Sequence, residues 1–184
     1  DTFYQIIELS EVPVVATHSA CRYFTPGCER NMSDEMIKLL AEKRGGIQMN
    51  FGSMFVNARV NKEFEQRRKY VIDYTQTHNL KGEQKQKYIH DYTKAHPLSG
   101  ADILDVVANI DHVVQLVGIE HVGLGSDFDG VGDDLPDGLK DVSCYPNLID
   151  ELLKKKYTEE DIKKICSENF LRVWSEVEQT AHKP

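Results

Sequence analysis

His121-Val-Gly-Leu-Gly-Ser-Asp-Phe-Asp-Gly130 begins as a strand, with Val122 and Leu124 alternating with Gly123 and Gly125. It then breaks into a loop that holds two carboxylates, Asp127 and Asp129. Glycines on both sides permit close backbone approach and unusual dihedrals. Acidic residues at the C-terminal end of a buried strand are expected at the mouth of an α/β barrel or an open α/β sheet, where sites collect. The plainer reading is an Asp-Gly turn whose carboxylates only cap or face solvent.

Working outward, two more strands are expected. Pro13-Val-Val-Ala-Thr17 is a short apolar run that ends in His18-Ser19. Ile47-Gln-Met-Asn-Phe51 exits through Gly52-Ser53. Helical patterns lie between and around them. Asp1 to Ser10 reads as the tail of a helix, and Ser33 caps a helix that ends at Gly45-Gly46. Val106, Val107, Ile110, Val113 and Val117 recur at helical spacing before Gly118. One helix is expected over about 146–156. Thr158-Glu-Glu-Asp161 opens a last one with Ile162, Ile165, Phe170, Leu171, Val173 and Trp174 on its apolar face. Residues 57–97 are rich in Lys, Gln, Tyr and His, with a break at Leu80-Lys-Gly82. They read as a helical insertion of two helices outside the core, with a solvated charged face. No internal repeat is expected.

Alternating strands and helices imply parallel strands with right-handed crossovers. A complete (β/α)8 barrel needs about 250 residues. With 184 residues and three strands, the choice is a small open sheet or the C-terminal part of a TIM-type barrel, here a single unit over 1–184.

The formal net charge of -8 argues against nonspecific nucleic-acid binding. No apolar run approaches a membrane span of about 20 residues. The first residues have neither a basic nor an apolar leader region, and there is no initiator methionine. No signal peptide is expected, the native start is expected upstream, and the compartment stays open. Cys21, Cys28, Cys144 and Cys166 form no C-x-x-C pair and read as isolated thiols, with a Cys21–Cys28 bridge as the alternative in an exported protein. His112 is expected to make a structural hydrogen bond, and His121 to sit away from the mouth. His78, His90 and His96 are assigned to the solvated insertion.

The three strands end in His18, in Asn50 and Ser53, and in Asp127. As parallel neighbours they would bring these residues to one mouth. A strand-end His is a metal-ligand candidate. Arg30 offers a fork for a carboxylate. Asp127 can bind a cation or move a proton.

These residues carry a resemblance. Pro13-Val-Val-Ala-Thr-His-Ser19, Glu29-Arg-Asn31, Gly46-Ile-Gln-Met-Asn-Phe51, His121 to Gly130, Asp141-Val-Ser-Cys-Tyr-Pro146 and Asn169-Phe-Leu-Arg-Val-Trp174 together resemble the membrane (renal) dipeptidase family. That resemblance implies zinc-dependent dipeptide hydrolysis at a site with two zincs on a (β/α)8 barrel. It implies that His18 is a zinc ligand, that Arg30 holds the substrate carboxylate, and that Asp127 meets the substrate ammonium and protonates the leaving amine. Asp129 is left as a loop-stabilising residue. The family's His-x-Asp pair, bridging Glu and second His have no match here, so the chain is expected to be a C-terminal portion that is inactive alone. Such a portion would expose a strand edge and an apolar face, which a homo-oligomer could cover. The alternatives are an inactive interaction domain or another metal-dependent amidohydrolase.

Overall fold

A computed structural model describes residues 2–181. Asp1 therefore lies outside the described residues. Three parallel strands form one sheet in the order β1 (Val15–Ser19), β2 (Gly46–Met49), β3 (Val122–Leu124). All four residues of β2 are buried. Ile47 and Met49 share one face and Gln48 and Asn50 the other, by the two-residue period of a strand. β1 runs two residues further than expected, so His18 lies inside the strand rather than beyond it. β3 is shorter than the expected 121–126, because His121 closes a 3-10 turn, Ile119–His121.

The glycines of β3 have a packing reason. A Cβ on Gly123 would collide with the side chain of Gln48. One on Gly125 would collide with the Thr17 carbonyl and with Gln48. Residues beyond β3 continue to pair irregularly: Gly125 donates to the Met49 carbonyl at 2.9 Å and Phe51 to the Ser126 carbonyl at 3.1 Å.

Helices α1 (Thr2–Leu9), α2 (Asp34–Glu42) and α6 (Ile103–Val117) follow the expected patterns. Ser33 caps α2 by accepting from the Met36 N–H at 3.3 Å. Asp102 and Asp105 form a reciprocal capping box on α6, and Gly118 ends it at φ 94. Val106, Val107, Ile110 and Val113 of α6 are buried in the core against β2 and β3.

A one-turn helix, α3 (Ser53–Val56), was not foreseen. Residues 57–97 do hold two helices, α4 (Ala58–Thr77) and α5 (Gly82–Ala95). α5 buries nothing, but α4 sends Val60 fully into the core, so the segment does not lie wholly outside it. The expectation of no internal repeat also needs correction. Tyr70-Val-Ile-Asp-Tyr-Thr-Gln-Thr-His78 in α4 and Tyr88-Ile-His-Asp-Tyr-Thr-Lys-Ala-His96 in α5 share Tyr, Asp, Tyr, Thr and His at equal spacing. At the helical (i, i+4) spacing these rings lie on one face of each helix. Tyr74 stacks on Tyr88 at 4.2 Å and Tyr70 on Tyr92 at 4.8 Å. His78 caps Tyr74 at 3.9 Å and His96 caps Tyr92 at 4.0 Å. The repeat is short and sits inside a polar segment, so its sequence signal is weak.

The expected last helix is divided. Between α8 (Glu159–Lys163) and α9 (Asn169–Ala181) lies a π-helical turn, Lys164–Glu168. Asn169 is buried, and its Nδ2 donates to the carbonyls of Ile119 at 2.7 Å and Val122 at 2.8 Å, which anchors α9 to the start of β3. Before them runs α7 (Tyr145–Lys154), which buries Leu148 and Leu152. Ile162, Ile165 and Val173 are buried as expected, whereas Leu171 and Trp174 are more than half exposed. Pro13, Val15, Phe170, Val173, Trp174 and Val177 line an apolar groove beside β1. The mixed α/β architecture with a parallel sheet is as expected. These three strands by themselves close no barrel. No described helix is long and apolar enough to cross a membrane.

Candidate functional site at the sheet mouth

The C-terminal strand ends bring together Arg30, Asn50 and Asp127. Arg30 follows β1, Asn50 follows β2 directly, and Asp127 follows β3. The Arg30 guanidinium donates through Nη1 to the His18 carbonyl at 2.9 Å. Its Nη2 meets Asp127 Oδ2 at 3.4 Å. Asn50 is fully buried and donates from Nδ2 to the same Asp127 oxygen at 2.7 Å. The Arg30 guanidinium also lies 4.1 Å from the centre of the Phe55 ring, a cation–π contact supplied by α3.

The loop geometry holds Asp127 in place. Asp127 has φ 64, a left-handed conformation that Asp tolerates better than most residues. Its carbonyl accepts from Gly130 at 3.0 Å and Val131 at 3.3 Å, so the chain turns tightly around it. A Cβ at Gly130 would collide with Asp127 Oδ1, which explains glycine there. Asp129, expected to steady the loop, is exposed and makes no hydrogen bond or ion pair among the described residues.

His18 stands at the same mouth but apart from this cluster. Its ring is exposed, its Nδ1 lies 2.8 Å from Thr17 Oγ1, and only its carbonyl touches Arg30. Among the described residues no group of three His, Cys, Asp or Glu side chains could hold a metal ion. One imidazole is too few for a zinc centre, which takes three or four protein ligands. The donor set of the described residues therefore does not fit a complete metal site.

The remaining candidates fall into structural roles. His112 Nε2 lies 2.9 Å from Asp34 Oδ1, and His121 Nδ1 lies 2.7 Å from the Gly45 carbonyl at the far end of the sheet. All four cysteines are free, and burial pushes the Cys21 thiol up to about 12. Ser53 Oγ accepts from the Ala101 N–H at 3.1 Å, a structural role.

Asn50 stands at the mouth as its place at the end of the second strand implies, and its hydrogen bond to Asp127 adds the role that the sequence does not give. Phe55 gave no signal, because a four-residue helix has no periodicity to read. The arrangement offers a cation, a carboxylate and a fixed amide within hydrogen-bonding reach. Such a set can bind a small molecule with charged groups of both signs, or move a proton at Asp127.

The family model for membrane dipeptidase, peptidase family M19, matches residues 1–184. Among solved structures, the chain is similar to a probable dipeptidase, PvdM, from Pseudomonas aeruginosa. The identity is 30% and the TM-score 0.75, over 96% of this chain and 48% of that one. It is similar to a metallo peptidase from Rhodobacter sphaeroides that was solved with a phosphinate mimic of the dipeptide L-Ala-D-Ala. There the identity is 26% and the TM-score 0.68, over 95% of this chain and 39% of that one. An amidohydrolase from Pseudomonas aeruginosa, 22% identical with a TM-score of 0.69, shares the fold. The chain thus spans less than half the length of the solved structures it matches. With its whole length covered by one family model, the chain belongs to the membrane dipeptidase family, peptidase family M19.

Proposed function

We propose that the protein carrying this chain is a zinc-dependent dipeptidase and that this chain forms the wall of the site that grips both ends of the substrate. The observation that carries the reading is the pairing of Arg30 with Asp127 at the mouth of the sheet. A dipeptide is short enough that one site must meet its free carboxylate and its free ammonium together. Arg30 supplies a planar fork for the carboxylate. Its Nε has no partner among the described residues, so an edge of the guanidinium is open to a ligand. Asp127 supplies the opposite charge for the ammonium, and it is placed to hand a proton to the leaving amine.

His18 is proposed as a ligand to zinc, of which the complete site takes two, with the other ligands coming from residues beyond this chain. Its position at the shared mouth and its exposed ring support this. Water activation belongs to that wider site. Completion of the three strands into a (β/α)8 barrel is part of the same proposal. The similarity to two longer structures, of which this chain covers 39% and 48%, supports it.

Arg30→Ala in the whole, metal-loaded protein tests the reading. Loss of a contact made equally in the ground and transition states raises KM more than it lowers kcat. We expect KM for a simple dipeptide to rise on the order of 10- to 100-fold, the loss of one charge-assisted contact of about 1.5–3 kcal/mol. An unchanged KM rejects the carboxylate role.

A further inference from the structure

We propose that Asn50 is a positioning residue that decides which oxygen of Asp127 handles the proton. This rests on the reading of Asp127 as the group that meets the substrate amine. The Gly52 N–H points at Asn50 Oδ1 from 2.6 Å. A backbone N–H can only donate, so the atom facing it must be the amide oxygen. The Asn50 amide is thereby fixed with Nδ2 toward Asp127, where it donates to Oδ2 at 2.7 Å. Arg30 Nη2 faces that same oxygen at 3.4 Å. Both groups are donors that cannot accept. A proton on Oδ2 would point at hydrogens already there.

Oδ1 is different. It receives no hydrogen bond from the described residues, and it lies against Gly130, where a side chain would displace it. The proton that Asp127 takes and gives is therefore carried on Oδ1. The charged side chain that meets Asp127 is Arg30, from the loop after β1, which also donates to the His18 carbonyl. Asn50 is the neutral partner, so its effect is separable from that of Arg30.

The test is a carboxyl NMR titration of Asp127, assigned by loss of its signal in Asp127→Asn, in the whole metal-loaded protein. Asn50→Asp keeps the acceptor for Gly52 and replaces the donor with a second carboxylate. Asn50→Ala removes both the donor to Asp127 and the acceptor for Gly52. Asn50→Asp is expected to raise the Asp127 titration midpoint through like-charge repulsion, and Asn50→Ala to raise it less. The acidic limb of kcat/KM should move up in pH with it, and kcat should fall on the order of 100-fold. A folded Asn50→Asp protein with an unmoved Asp127 midpoint overturns the proposal, as does failure of both variants to fold. The titration needs no substrate. A shifted midpoint in a protein without dipeptidase activity would sink the functional reading and leave the role of Asn50 standing.

Discussion

β2 and the α4–α5 hairpin sit on either side of the acidic loop and are held by opposite means. Every residue of β2 is buried, and Ile47 and Met49 pair with β1 on one side and β3 on the other. α5 buries no residue, and its contact with α4 is a ladder of tyrosine and histidine rings. The two meet at the loop: Asn50, just past β2, holds Asp127, while Arg67 of α4 pairs with Asp134 at 2.9 Å. The difference teaches that chemistry is placed where the backbone has no freedom. Asn50 and Asp127 follow strands whose position is dictated by burial, and Arg30 reaches Asp127 from the loop after β1.

The contrast breaks most visibly in activity. Asp127→Asn removes the charge at the mouth without emptying the core. We expect kcat to fall about 1000-fold, roughly 4 kcal/mol of barrier, with the thermal midpoint nearly unchanged. Turnover at the wild-type rate would place the proton transfer elsewhere.

Stability separates the two regions next. Met49 is fully buried in β2. Met49→Ala should cost about 2–5 kcal/mol in urea unfolding, through lost transfer energy and the cavity left behind. A cost below about 1 kcal/mol would mean that β2 is not the rigid centre described.

The smallest effect belongs to the hairpin and is read with pH. Tyr88 is held up at about 12, first by desolvation, then by its hydrogen bond with Tyr70 and the neighbouring phenols. A phenol whose folded value is raised favours the folded hairpin while protonated. That contribution is complete below the ordinary value of about 10 and is lost as pH rises through about 12. Hydrogen exchange in α4 and α5 should therefore accelerate across that window in wild type. Tyr88→Phe should flatten the dependence, and a dependence of equal steepness in that variant would remove Tyr88 as its source.

The sheet and the mouth were legible because their signals are local and strict. A buried strand followed by a polar residue leaves few positions for that residue, as at Asn50 and Asp127. The glycines of 121–130 pointed to close approach before it was known that Gln48 and the Thr17 carbonyl do the approaching. α3 and Phe55 were not legible, since a single turn has no period. The exposure of Leu171 and Trp174 could not be read either. A π-helical turn at Lys164–Glu168 shifts the face of α9, and helical spacing assumes that no such shift occurs. The ring ladder was hidden for another reason. Its residues looked like solvated polar surface taken singly, and only the antiparallel hairpin joins them.

The central claim is that Arg30 and Asp127 grip the two charged ends of one dipeptide, and capped substrates test it most directly. kcat/KM should be compared in the whole metal-loaded protein for a free dipeptide, its N-acetyl form and its C-terminal amide. Each cap removes one charge-assisted contact, so each should lower kcat/KM by at least about 10-fold. Arg30→Ala should erase the penalty for the amide only. Equal turnover of free and capped substrates would contradict the two-ended grip.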